Sequence, residues 1–213
     1  MKSLLIAGPD STLRDVHALA VQAYPQRRIE VLHIASTDYY TFDLNGLAAF
    51  PVTEWDIAIA VNEFYINDVR RALHAEVAAL GYQAVSLISP AAHVSADAVV
   101  GENAIIHAGC FVGAGSVIGH HCVLRPNVVL GEEVRLGNYV TLEANVSIRE
   151  KSTIGDFVTI CANSSLTRTT VVGAHSYLNV SRQYTGTIAP CTFYSPVFEN
   201  PVRVLSSNTA LSS

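Results

Sequence analysis

Two acidic stretches contain groups able to move protons. Glu132 and Glu133 lie 18 residues before Glu150 and Lys151, Arg168 lies 18 after Glu150, and Arg149 stands next to Glu150. A carboxylate becomes a general base when burial raises its pKa, whereas an exposed one is simply surface charge. Both readings stand for Glu132 and Glu150. His120, followed by His121, is a further candidate base. His107 and His175 read as packed, structural histidines. The histidine spacing makes no convincing zinc site, so no metal is expected. Cys110, Cys122, Cys161 and Cys191 lack metal or disulfide spacing, which suits a reduced, cytoplasmic protein.

A six-residue ladder must position these groups. From Val94 to Leu178 an aliphatic residue recurs at every sixth position: Val94, Val100, Ile106, Val112, Ile118, Leu124, and so on without a slip. Neither a helix, with period 3.6, nor an isolated strand, with period 2, produces this. A hexapeptide period marks a parallel β-helix. Four residues after each aliphatic one stands a small or β-branched residue, such as Ala104, Cys110, Cys122, Val128 or Ser152. These two positions fill the interior of a prism. Gly101, Gly113, Gly119, Gly131, Gly137, Gly155 and Gly173 follow the ladder, where a corner needs φ > 0 or close backbone approach.

Three hexads make one coil, so residues 18 apart stack at ~4.8 Å. One outer line reads Asn127, Asn145, Asn163, and reads best as a hydrogen-bonded amide ladder. A second reads His107, Arg125, Glu143, Cys161, Asn179. A third, His121, Tyr139, Phe157, His175, suggests a flat packed surface, with a subunit interface as the first expectation. A fourth collects Glu132, Glu133, Arg149, Glu150, Lys151 and Arg168.

Residues 1–88 have a different pattern. Strands are expected at 3–7, 29–34 and 55–61, with a further one at 83–87, and helices at 12–24 and 67–80, the second closed by Gly81. This alternation describes a small Rossmann-like α/β domain. The β-helix then spans 89–182 and a tail 183–213. The 213 residues are 50% hydrophobic and only 15% charged, which points to a buried subunit interface. The net charge of −5 leaves no footprint for nucleic acid. No apolar run reaches a membrane span, and the N-terminal one is too short for a signal peptide.

The stretches at 56–73 (DIAIAVNEFYINDVRRAL) and 80–122, with the tail ENPVRVL at 199–205, resemble bacterial sugar O- and N-acyltransferases of the hexapeptide-repeat family. The aminosugar N-acetyltransferases of the bacillosamine and perosamine type are the most similar subgroup. The resemblance covers nearly the whole chain. It implies a left-handed β-helix, a homotrimer with sites between subunits, and an acyl-CoA such as acetyl-CoA donating to a nucleotide-linked aminosugar. That family's base is a His followed by an acidic residue, two places after a ladder position. Counting hexads from the domain junction puts that place at Glu132, and matching the following IGDF puts it at Glu150. Asn163, Arg168 and Arg203 are the residues the resemblance assigns to acyl-CoA. The family's glycine-rich nucleotide turn corresponds to Ala7-Gly8-Pro9-Asp10-Ser11, where Asp10 and Ser11 either meet the acceptor or cap the first helix. Pro9 removes a backbone donor and Asp10 repels phosphate. Three readings follow: acyl transfer to a nucleotide aminosugar, acyl transfer to another acceptor, or a binding or scaffold relative that has lost its base.

Overall fold

A computed structural model describes residues 1–9, 11–63 and 65–204. Three parallel strands, β1 (Ser3–Gly8), β2 (Ile29–His33) and β3 (Trp55–Ile59), form a small sheet in the order β2-β1-β3. Helices α1 (Thr12–Ala23) and α2 (Asp68–Ala79) pack beside it. The strand expected at 83–87 is not part of this sheet. Only one bridge, Ile57 to Ala84, reaches it, and Leu87–Ile88 instead pairs with Ile105–Ile106 as the first rung of the β-helix.

The rest is a prism with three parallel faces. The first face carries Leu87–Ile88, Ile105–Ile106, Val123–Leu124, Thr141–Leu142, Thr159–Ile160 and Tyr177–Leu178. The second starts at His93–Val94 and continues through Phe111–Val112, Val129–Leu130 and Ser147–Ile148. The third starts at Val99–Val100 and continues through Val117–Ile118 and Arg135–Leu136. Registers such as Val123 to Thr141 and Leu130 to Ile148 are the 18-residue stacking read from the sequence. The ladder side chains fill the interior. Only Val94 and Val100, at the uncovered first coil, are partly exposed.

The ladder extends beyond both ends of its aliphatic run. Ile88 precedes it in phase, and Tyr184 follows as a buried aromatic rung. The coil then contracts by two residues, because Thr187–Ile188 pairs with Val171–Val172.

The corner glycines satisfy only one of the two expectations. The glycines that directly follow the ladder are there for close approach: a Cβ on Gly119 would lie 2.3 Å from the Gly137 carbonyl oxygen. The left-handed conformation falls two residues later, mostly on non-glycines such as Asn103, His121, Asn127, Glu133, Asn145 and Asn163. Asparagine tolerates that region best, because its short amide bonds locally.

The two parts share a core. Leu4, Ile6, Leu13, Val16 and Leu19 pack with Leu87, Ile105 and Val123 of the first face. Buried Asn103 bridges the joint, with its Oδ1 accepting from the Ile59 amide at 2.9 Å. No described helix is long and apolar enough to cross a membrane.

Candidate active site

The second–third corner carries the acidic residues. Glu132 stands two places after Leu130, and Glu150 two places after Ile148. The Lys151 amide donates to the Glu132 carbonyl at 2.9 Å, stacking the two coils. A Cβ on Gly131 would meet the Glu150 nitrogen at 2.9 Å, so the missing side chain lets Glu150 sit this close. Glu132 and Glu150 line one open groove of about 500 Å³ with Arg149, whose far wall is the stacked pair His93 and Phe111, 5.1 Å apart.

Glu150 Oε2 lies 3.5 Å from Arg149 Nε and 3.6 Å from Arg168 Nε. That oxygen is out of solvent and makes no hydrogen bond. Of the two readings open for Glu150, the carboxyl raised by burial does not hold. Its own backbone amide lowers the pKa most, Arg149 and Arg168 add to this, and burial opposes them without winning. Glu150 is therefore an ionised acceptor at neutral pH. It can orient an N–H, but it sits below the range of an efficient general base.

A second cleft, of about 760 Å³, opens between the α/β domain and the late coils. Tyr40, Glu63, Tyr65, Asp68, Tyr177 and Phe193 line it, with Ile66, Thr159 and His175. Its inner wall comes from Glu63, Tyr65, Ile66 and Asp68, in a turn where Tyr65, Ile66 and Asn67 are all left-handed (φ 48°, 53° and 64°). Arg70 holds this strained turn. It is 1% exposed and donates to the carbonyls of Val61 (3.2 Å) and His121 (2.8 Å), to Asn67 Oδ1 (3.1 Å) and to Thr141 Oγ1 (2.9 Å). Glu63 is half-buried with no ion pair among the described residues, and Asp68 pairs with Arg71 at 2.8 Å. Beside this cleft a smaller cavity of about 370 Å³ lies at the carboxyl ends of β1 and β2. Pro9, His33, Ser36, Thr37 and Tyr39 line it, and Ser36 Oγ is buried without a partner. Open α/β sheets bind ligands at this edge.

The aromatic line stacks as expected, with ring separations of 4.7, 5.0 and 4.7 Å from His121 to His175. Its two ends have different surroundings. His74 of α2 covers its start, 3.8 Å from the His121 ring, and the Tyr139 hydroxyl lies 3.3 Å from His74 Nδ1. The far end, at His175, reaches the cleft. Burial, and then the charges of His74 and Arg70, push His121 down to about 3. Burial also lowers His74.

The remaining sequence candidates scatter. His120 is exposed at the third–first corner, and its Nδ1 accepts from the Glu102 amide at 3.1 Å, away from Glu132 and Glu150. Asn163 ends the amide ladder, accepting from Asn145 at 3.0 Å. Only Arg168 stands beside Glu150. Arg203 is exposed on a short strand, Val202–Arg203, against Thr192–Tyr194 at the end of the first face. Ser11 occupies the N-cap position of α1 without a side-chain cap bond, and Asp10 lies outside the described residues. Sequence reasoning missed Glu63, Arg70 and the tyrosines. The one available signal was an arginine at a core-facing position of α2.

Residues 109–144 match the family model described as bacterial transferase hexapeptide (six repeats). No curated protein matches the chain. Among solved structures, the acetyltransferase domain of PglB from Neisseria gonorrhoeae superposes with TM-score 0.77 at 21% identity, over 92% of this chain and 98% of that one. The same domain in complex with acetyl coenzyme A gives 0.76 at 22%, over 91% and 97%. A perosamine N-acetyltransferase variant from Caulobacter crescentus, in complex with CoA and GDP-perosamine, gives 0.76 at 16%, over 91% and 93%. The chain has the hexapeptide-transferase fold. Its ladder thus builds the same prism and leading domain as these acetyltransferases, while its corner position carries Glu150.

Proposed function

We propose that this protein is an acyl-CoA-dependent N-acyltransferase acting on an amine-bearing sugar. The observation that carries this is the pairing of two clefts of unlike chemistry. The corner groove offers Arg149 and Arg168 beside the Glu150 carboxylate. The aromatic cleft offers Glu63 among tyrosine and phenylalanine rings, the surroundings that suit an ammonium group. Solved structures of the same fold hold acetyl-CoA, or CoA with GDP-perosamine, which supports a thioester donor and an aminosugar acceptor.

In this reading the acceptor binds in the aromatic cleft as an ammonium and gives its extra proton to water before it attacks. Its nitrogen attacks the thioester carbonyl carbon, a C–N bond forms and the C–S bond breaks. The nitrogen sheds a proton and the departing thiolate takes one up, giving the amide and CoA thiol. Glu150 accepts an N–H and aims the lone pair, and proximity supplies much of the rate. No metal enters the step. The two clefts lie at different corners of one prism, so we expect them to meet between copies in a homotrimer. Arg168 and Arg203 then share one CoA across a subunit boundary. An acyl-CoA donor makes the cytoplasm the compartment of action.

Two acceptors fit the smaller cavity. A nucleotide-linked aminosugar would put its nucleoside against His33, Ser36 and Tyr39. A phosphate-free aminosugar is favoured by Pro9 and by the lack of any Lys or Arg among the described residues lining either cavity. The test is thermal stabilisation by acetyl-CoA, followed by thiol release with GDP- and UDP-linked aminosugars and with free aminosugars. Failure of every acyl-CoA to stabilise the protein removes the enzyme reading in favour of a binding or scaffold role. Turnover of free aminosugars alone selects the second acceptor.

A further inference from the structure

Away from both clefts, a cavity of about 290 Å³ lies where α1 crosses the first–second corner. Its polar walls are Asp15 and Gln22 from α1 and Ser89, His107 and Arg125 from the first coils. His107 is 9% exposed, and its Nε2 is out of solvent with no hydrogen bond in the protein. One coil on, the half-buried Arg125 guanidinium makes no hydrogen bond or ion pair among the described residues. Ser89 is 2% exposed, and its Oγ accepts from the Ala91 amide at 3.2 Å, leaving its own hydrogen free to donate.

These unused groups share one chemistry. A guanidinium has five N–H donors and no acceptor, in a fork that matches carboxylate and phosphate. Buried polar groups are normally paired, so an orphaned ring nitrogen beside an unpaired guanidinium calls for an explanation. Burial and Arg125 hold His107 near 4, so its ring is neutral at pH 7 and one nitrogen carries the proton. With that proton on Nε2, every unspent group named here is a donor. The charged groups facing the ring are Arg125 on the next coil and Asp15 on α1. Asp15 is exposed at the rim, where it weakens anion binding without abolishing it.

We propose that this cavity binds a small oxyanion, held by the Arg125 guanidinium and the His107 Nε2–H, with the Ser89 hydroxyl completing the cradle. Inorganic phosphate and a small carboxylate present the same chemistry to these donors. The site shares no lining residue with either cleft and does not depend on acyl transfer.

The experiment uses the full chain, with sodium phosphate and sodium acetate compared against sodium chloride at equal ionic strength. Thermal unfolding and the NMR titration of the His107 ring are read together. The expected result is a rise in melting temperature with phosphate, acetate or both, and an upward shift of the His107 titration when the anion binds. A response to one anion alone supports the site and identifies its source. Arg125→Gln should weaken binding roughly tenfold or more, and Arg125→Lys should recover part of it, because charge returns without the fork. Asp15→Asn should tighten binding by about two- to fivefold. The proposal is overturned if chloride reproduces the effect, or if Arg125→Gln binds as well as the unaltered protein. It is equally overturned if neither anion binds; a change of oligomeric mass in Arg125→Gln would then show that the guanidinium meets a second copy of the chain.

Discussion

The same hexapeptide unit builds two corners of opposite character. At the second–third corner, Glu132, Glu133, Arg149, Lys151 and Arg168 stay in water around a half-exposed Glu150. At the third–first corner, His121 and Tyr139 lie beneath α2, and Arg70 is driven between them and the left-handed turn at Tyr65, Ile66 and Asn67. The backbone geometry is the same, because Glu133 and His121 hold equivalent left-handed positions (φ 56° and 60°). What differs is the cover. The α/β domain docks on the first face and dries one edge of it, leaving the opposite corner open to a ligand or a second subunit.

The largest test of this contrast removes the arginine from each corner. Arg70→Ala would strip the donor from the Val61, Asn62 and His121 carbonyls in a dry joint, leave Asn67 and Thr141 bonded to each other, and open a cavity. The expected loss is about 3–5 kcal/mol, measured by urea denaturation. Arg149→Ala at the wet corner should change stability by about 0.5 kcal/mol or less. Similar losses at the two corners would erase the distinction.

Acid should open the dry joint next. Histidine titrates near 6.5 in an unfolded chain, whereas folded His121 sits near 3 and His107 near 4. The unfolded state therefore binds more protons between these limits. Stability is complete above about 6.5 and falls as pH drops toward the folded values. A tenfold difference in proton affinity between the two states is worth about 1.4 kcal/mol, so the combined loss should reach a few kcal/mol. His121→Phe keeps the stacked ring and removes one titration. Denaturation midpoints from pH 7.5 to 4 should then show a flatter slope, and an unchanged slope would remove His121 as a cause.

The prism was legible because its period is covalent arithmetic: one buried aliphatic per hexad, and stacking partners 18 apart, as in Leu130 and Ile148. The amide ladder from Asn127 to Asn163 followed for the same reason. The joint was not legible. Arg70 reads as one more charge in a helix, and only the tertiary contact with Thr141 and His121 reveals it as a buried clamp. The ionised state of Glu150 was also hidden, because its own backbone amide, helped by Arg149 and Arg168, outweighs burial only once the coil is folded. The orphaned His107 required knowing that α1 covers it without supplying an acceptor.

A smaller difference should appear where glycine lets coils approach. Gly119→Ala puts a Cβ 2.3 Å from the Gly137 carbonyl oxygen, and its three nearest atoms are all backbone of the next coil, with nothing flexible to yield. Gly131→Ala meets the Glu150 nitrogen at 2.9 Å. Overpacking of this kind costs about 1–3 kcal/mol. Thermal unfolding should rank Gly119→Ala as the more damaging, and the reverse order would mean that the wet corner is the stiffer one.

The smallest effect on stability, and the most informative for function, belongs to Glu150→Gln. The side chain is a third exposed and its partners are solvated arginines, so the melting temperature should not move. If the carboxylate aims the attacking amine, kcat/KM for acyl transfer should fall roughly 10–100-fold while acetyl-CoA still binds. The pH profile separates orientation from proton abstraction. Glu150 is held below the ordinary glutamate range, so it stays ionised through mildly acid conditions and loses its charge only as pH falls through that lowered value. The acid limb of the rate should therefore follow the acceptor's own amine and shift when acceptors of different basicity are compared. A limb that stays fixed across acceptors and disappears in Glu150→Gln would make the carboxylate a general base. Full activity in Glu150→Gln would reduce the wet corner to surface charge.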